Sequence, residues 1–165
     1  YIGIDVVREK KFTEESKSFD VSFIQSPIED FDSEDRFDLV ISNTAFEHIP
    51  DDKKAAEQSK KYVKEDGVQL HVMPSFWSLP IYLLHGFRQY TPHRTKTIFG
   101  EQAVVYRLGG LGSFIVAFFL MTIPERLTGS RKIRSTNFYK ASMKMANKID
   151  RFLPFCSHMY GIVIE

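Results

Sequence analysis

The run Phe37-Asp38-Leu39-Val40-Ile41-Ser42-Asn43 constrains this chain more than any other. Its Leu39-Val40-Ile41 centre is apolar on consecutive residues. Successive strand side chains point to opposite faces, so both faces of this strand are apolar. Strands of that kind belong to parallel sheets covered by helices on both sides. The segments around it repeat the theme. "YIGIDV" at 1–6, "VSFIQ" at 21–25 and "VQLHVMPS" at 68–75 read as strands, the last ended by Pro74. "REKKFTEESKSF" at 8–19 reads as an exposed helix and "EDFDSEDR" at 29–36 as an acidic loop. Asp51 follows Pro50 as a helix N-cap, and Ala55, Ala56, Ser59, Tyr62 and Val63 fall at helical spacing up to Gly67, the expected stop.

Strand, helix, strand, loop, strand, helix, strand is the rhythm of an α/β sheet with crossovers. Ligands in such sheets sit beyond the carboxyl ends of the strands. Those ends are Asp5, Ser26–Ile28, Asn43–His48 and Pro74–Ser75. Residues 1–75 therefore read as an α/β core, 76–157 as a helical, aromatic and basic region on the substrate side, and 158–165 ("HMYGIVIE") as an edge strand closing the same sheet.

Charge separates the two halves. Residues 1–75 hold 17 acids against 10 basic residues, and residues 76–165 hold 4 against 12. Cys156 is the single cysteine, which rules out a disulfide within the chain and a cysteine metal site and points to a reducing, cytoplasmic setting. No His/Asp/Glu spacing has the form of a metal site. No charged segment followed by an apolar one opens the given sequence, so a secretion signal is not expected. The chain starts inside a strand pattern, with Tyr1 in place of Met, and is expected to be the downstream part of a longer protein.

Four motifs, in order and at matching intervals, resemble the class I S-adenosylmethionine-dependent methyltransferases, a Rossmann-like group. "YIGIDV" resembles that family's second strand, "FIQSPIEDF" its third strand and adenine-side turn, "FDLVISNTAFEHIPD" its fourth strand and following turn, and "KKYVKEDGVQLHVMPS" its next helix, glycine turn and fifth strand. The resemblance implies a Rossmann-like, mostly parallel sheet with flanking helices, truncated at its N-terminus. It implies S-adenosylmethionine as cofactor, with Asp5 on the ribose hydroxyls, Ser26 and Ile28 beside the adenine, and Asn43 and Thr44 near the amino-acid end. Two departures stand out. The family's glycine-rich turn falls upstream of Tyr1, and Pro27 occupies a place where the family usually carries an Asp.

Each residue has a plainer reading beside this one. Asp5 serves equally as a cap, Ile28 as core, and Asn43 and Thr44 as turn formers. Glu47 and His48 lie at the expected mouth. An imidazole there has the chemistry to deprotonate a hydroxyl, which makes His48 the candidate base and Glu47 a candidate substrate contact. Positioning alone can also drive methyl transfer. Tyr90 and His93 flank Pro92 in the segment expected to build the substrate lid, with His85 just before them, and are the further candidate substrate contacts. His71, in mid-strand, reads as a core histidine. The expected acceptor is a small-molecule or glycan- or lipid-linked oxygen nucleophile. A non-catalytic module docking on a membrane or partner is the alternative, and a nicotinamide-dependent Rossmann enzyme is disfavoured by "FEHIPD". Residues 108–151 place an uncharged stretch beside eight cations, a pattern of peripheral membrane contact. The aromatics there are not interleaved with the basic residues, which disfavours nucleic acid.

Overall fold

The computed structural model describes residues 1–7, 20–81 and 88–165. The helix expected at 8–19 and His85 lie outside the described residues. The described residues form six strands: β1 (Ile2–Asp5), β2 (Ser22–Gln25), β3 (Phe37–Asn43), β4 (Val63–Pro74), β5 (Val104–Leu108) and β6 (Met159–Ile164). The longer helices are α1 (Asp52–Lys61), α2 (Pro92–Phe99), α3 (Leu111–Thr128) and α4 (Asn137–Asp150).

β1 pairs with β2, and β3 with β4, each in parallel. β6 runs antiparallel to both β4 and β5, giving the order β3-β4-β6-β5. This is the mixed α/β architecture expected from the strand and helix rhythm, and the Rossmann-like one that the family resemblance implies. Three details differ from that reading. All four N-terminal strands were expected to neighbour one another, yet among the described residues β1 and β3 belong to separate sheets. A cavity lined by both strands lies between them. The closing strand β6 is one place in from the edge, and the outer position falls to β5. β5 is short and lies in a stretch with no βα repeat, so its strand character emerges only in pairing with β6. Finally, α1 ends at Lys61 and Gly67 lies inside β4. The pairing shifts register between Phe37 and Leu39. A side chain at Gly67 would stand 2.9 Å from the Phe37 carbonyl and 3.0 Å from that of Asp38, so this close approach, and not a helix stop, selects glycine.

The core forms on one face of the larger sheet. Met73, Ile162, Tyr160 and Ile164 pack there with Ala55, Ala56, Phe46 and Phe99. On the other face Leu39, Ile41, Val104 and Tyr106 remain half-exposed or more among the described residues. The expectation of burial on both faces of β3 is therefore met on one.

β5 is antiparallel to β6 and β6 to β4, so β4 and β5 point the same way. α3 and α4 are inserted between β5 and β6, and therefore stand at the carboxyl end of the sheet. They pack as an antiparallel pair, with Gly112 against Ala146 and the Tyr139 hydroxyl 3.8 Å from the Met121 sulfur. π-helical turns occupy Ala117–Thr122 of α3.

Candidate functional site

Three strand ends build the site. At the end of β1, Asp5 is exposed and its Oδ1 accepts the Val7 N–H at 3.0 Å. Its carboxylate retains capacity for further donors. At the end of β2, the Ser26 N–H donates to the Asp5 carbonyl at 3.1 Å, binding the two strand ends together. Pro27 then opens a 3₁₀ turn, Ile28–Asp30, which leaves Ile28 half-buried against the core. At the end of β3, Thr44 adopts φ +48°, a left-handed conformation that β-branched residues seldom take. Strain of that kind concentrates at functional sites. Here it turns the chain sharply, with the Thr44 N–H held 2.8 Å from the Val72 carbonyl. The following 3₁₀ turn buries Phe46 and Glu47 and leaves His48 outside.

Asp5, Ser26, Ile28, Asn43, Thr44 and His48 all line one cavity of about 980 Å³ between β1 and β3. The size is at the upper end of small-molecule sites. The His48 imidazole is 45% exposed, and its Nε2 lies 3.9 Å from Oε1 of the buried Glu47.

The three expected substrate contacts fall elsewhere. Glu47 sits beneath the rim, outside the cavity lining. His93 is exposed in the first turn of α2. Tyr90 is fully buried and its hydroxyl donates to Asp52 Oδ2 at 3.1 Å. Burial, with the Asp52 carboxylate beside it, pushes the phenol well above its ordinary range. Tyr90 and His93 thus do not converge: the helix beginning at Pro92 carries His93 outward while Tyr90 points into the core.

Tyr90 belongs instead to a cluster that sequence reasoning missed. Asp52, 3% exposed, receives Arg94 Nη2 on both oxygens at 2.9 and 3.0 Å and has Arg88 Nη1 at 3.2 Å. Arg88 also donates to the carbonyls of Ile49 and Pro50, at 2.8 and 2.7 Å. The cluster ties the segment after β4 to the turn that carries His48. Its partners lie 36 to 42 residues apart in sequence, so no local pattern announces them.

A second polar network lies under β3. Ser42 Oγ is 2.8 Å from His71 Nδ1, and His71 Nε2 is 3.2 Å from Gln69 Oε1. The Ser59 hydroxyl donates to the same Gln69 oxygen. Because that oxygen only accepts, Nε2 carries the proton and Nδ1 accepts from Ser42. His71 stacks on Phe99 with centroids 4.8 Å apart. Burial lowers its pKa to about 4, so the ring is neutral at physiological pH.

Comparison with known proteins gives the site its setting. A family model described as a methyltransferase domain matches residues 1–84, about half of the chain. No curated protein matches it. Among solved structures, the plantazolicin methyltransferase BpumL in complex with S-adenosylhomocysteine superposes with a TM-score of 0.56 over 99% of this chain and 65% of its own, at 14% identity. Coclaurine N-methyltransferase bound to N-methylheliamine and S-adenosylhomocysteine gives 0.55 at 11% identity, over 99% of this chain and 59% of its own. The N-methyltransferase NodS from Bradyrhizobium japonicum WM9, with S-adenosylhomocysteine, gives 0.54 at 14% identity, over 68% and 60%. The chain thus spans less than two thirds of each of these three. With the fold shared and the motifs of residues 1–84 matched, the chain belongs to the methyltransferase-domain family, the class I S-adenosylmethionine-dependent group that its strand ends resemble.

Proposed function

We propose that the protein is an S-adenosylmethionine-dependent methyltransferase that acts on an oxygen of a small-molecule or glycan- or lipid-linked acceptor. One observation carries the reading: the ends of three strands bring Asp5, Ser26, Ile28, Asn43, Thr44 and His48 onto a single cavity. These residues fit the cofactor. Asp5 offers a carboxylate, already held in place by Val7, to a ribose diol. Ile28 supplies an apolar wall for a purine, and Asn43 and Thr44 supply polar groups where the amino-acid end would lie.

When bound, S-adenosylmethionine supplies an electrophilic methyl group on a sulfonium. The chain's own contribution is positioning plus one proton transfer. With that group bound, His48, at the mouth, would take the proton of the acceptor hydroxyl as that oxygen accepts the methyl group. Buried Glu47 stands beside this ring, its Oε1 3.9 Å from Nε2.

Calorimetric titration of the full-length protein with S-adenosylhomocysteine tests this. Binding is expected, and Asp5→Ala weakens it by about 1.5–3 kcal/mol, the scale of hydrogen bonds to a charged group. No binding would leave the fold as a non-catalytic scaffold. Binding that is indifferent to Asp5→Ala would make the acid a loop cap.

A further inference from the structure

The α3–α4 pair carries a surface that the methyltransferase reading does not use. α3 is an 18-residue helix with a mean hydropathy of 1.4, yet only 28% of it is buried. It exposes Ile115 and Phe119 along one side. α4 is amphipathic in an unusual sense. Its inner face, Tyr139, Met143 and Ala146, packs toward α3, while a second apolar stripe faces out. Phe138 is 65% exposed, Met145 64% and Phe152, just past the helix end, 83%. Positions 138 and 145 are seven apart and share one side of the helix axis, and Phe152 follows in the turn after it. Lys140, Lys144 and Lys148, each one turn from the next, form an exposed row about 100° around the helix from that stripe.

The acids of this region are already engaged. Arg134 donates to Glu125 Oε2 at 2.7 Å and holds that carboxyl below its usual range. Asp150 accepts the Ser113 N–H at 3.1 Å, at the start of α3. The outer surface therefore combines apolar side chains with a lysine row that makes no ion pair among the described residues.

We infer that this helical pair docks the protein on an anionic phospholipid bilayer, lying flat in the headgroup region with the Phe138, Met145 and Phe152 stripe inserted. Apolar residues with lysine beside them are what such a surface selects. Charge complementarity chooses a bilayer over a second copy of this chain, whose matching face would bring like charges together. Spanning is disfavoured by length: 18 residues rise about 27 Å, short of a hydrocarbon core of about 30 Å. It is also disfavoured by the packing of α3 on α4. The pair is inserted at the carboxyl ends of β4 and β5, the end of the sheet at which Asn43 and Thr44 also lie.

The test is sedimentation of the full-length protein with vesicles of pure phosphatidylcholine and of phosphatidylcholine containing phosphatidylserine. Binding is expected to the mixed vesicles only. Lys140→Gln, Lys144→Gln and Lys148→Gln together should weaken it by about 100-fold, roughly fivefold for each charge, and raising the salt should weaken it in the same way. Met145→Gln with Phe152→Gln should also weaken it at every salt concentration. All five residues are exposed, so the variants keep the thermal transition of the parent. Equal partitioning to both vesicle types, or to neither, overturns the proposal. So does a dimer in light scattering that the Met145 and Phe152 substitutions dissociate, since the stripe would then be a self-association surface. Binding of S-adenosylhomocysteine, measured on the same samples, reports separately on the cofactor reading and is independent of the outcome.

Discussion

His48, in the turn after β3, and His71, within β4, do opposite work. His48 stands on an open rim with Asp5, Asn43 and Thr44, nearly half exposed and facing a cavity. His71, within β4, is fully buried at the floor of the same cavity, with both ring nitrogens engaged and the ring stacked on Phe99. The same contrast separates Asp5, with one backbone partner, from Asp52, with two guanidinium groups and a phenol. Polar groups on the rim keep hydrogen-bonding capacity for a ligand. Those behind it have exchanged that capacity for order, because a buried polar atom without a partner is costly. Rim substitutions should therefore alter chemistry and spare stability, and substitutions behind it should do the reverse.

The sharpest break comes from Asp52→Ala. It removes the acceptor shared by Arg88, Arg94 and Tyr90 and should cost about 3 kcal/mol of stability. That is the low end for breaking a buried ion pair, because Arg94 is 46% exposed and can turn to water. Urea denaturation measures it. An unchanged midpoint would mean that the cluster merely decorates the turn.

His48→Ala reverses the pattern. Turnover should fall by about 100-fold, with the thermal midpoint and cofactor affinity near those of the parent. A variant with near-normal turnover would leave positioning as the whole mechanism and His48 as a wall of the site.

pH sharpens the comparison with a smaller effect. The folded pKa of His71, about 4, lies below its ordinary 6.5. Between those values the unfolded chain binds the proton and the folded chain does not, so stability declines as pH falls through that window and is constant above it. From pH 7 to pH 5 the loss should be about 2 kcal/mol. His158, also lowered by burial, adds in the same direction. Denaturation midpoints at the two pH values check this. His71→Asn should flatten the dependence, and a flat profile in the parent would mean that water reaches His71 in the folded state.

Local pattern alone specified much of this protein. The apolar run at 39–41, the β-branched segments at 2–5 and 68–74 and the N-cap at Asp51, whose Oδ1 accepts the Lys54 N–H at 2.9 Å, depend on near neighbours and were legible. The rim residues at the strand ends were legible for the same reason: a strand's last residue and the turn after it are contiguous in sequence. What depends on distant partners was not. β5 becomes a strand only against β6, fifty residues on. Tyr90 read as a substrate contact because nothing nearby shows that Asp52 lies across from it. Gly67 looked like a helix stop because the carbonyls of Phe37 and Asp38 approach it only in the folded sheet. The outer stripe of α4 could be counted from its spacing, but its exposure was decided by packing, which chose Ala146 and Tyr139 for the interior and left Phe138, Met145 and Phe152 outside.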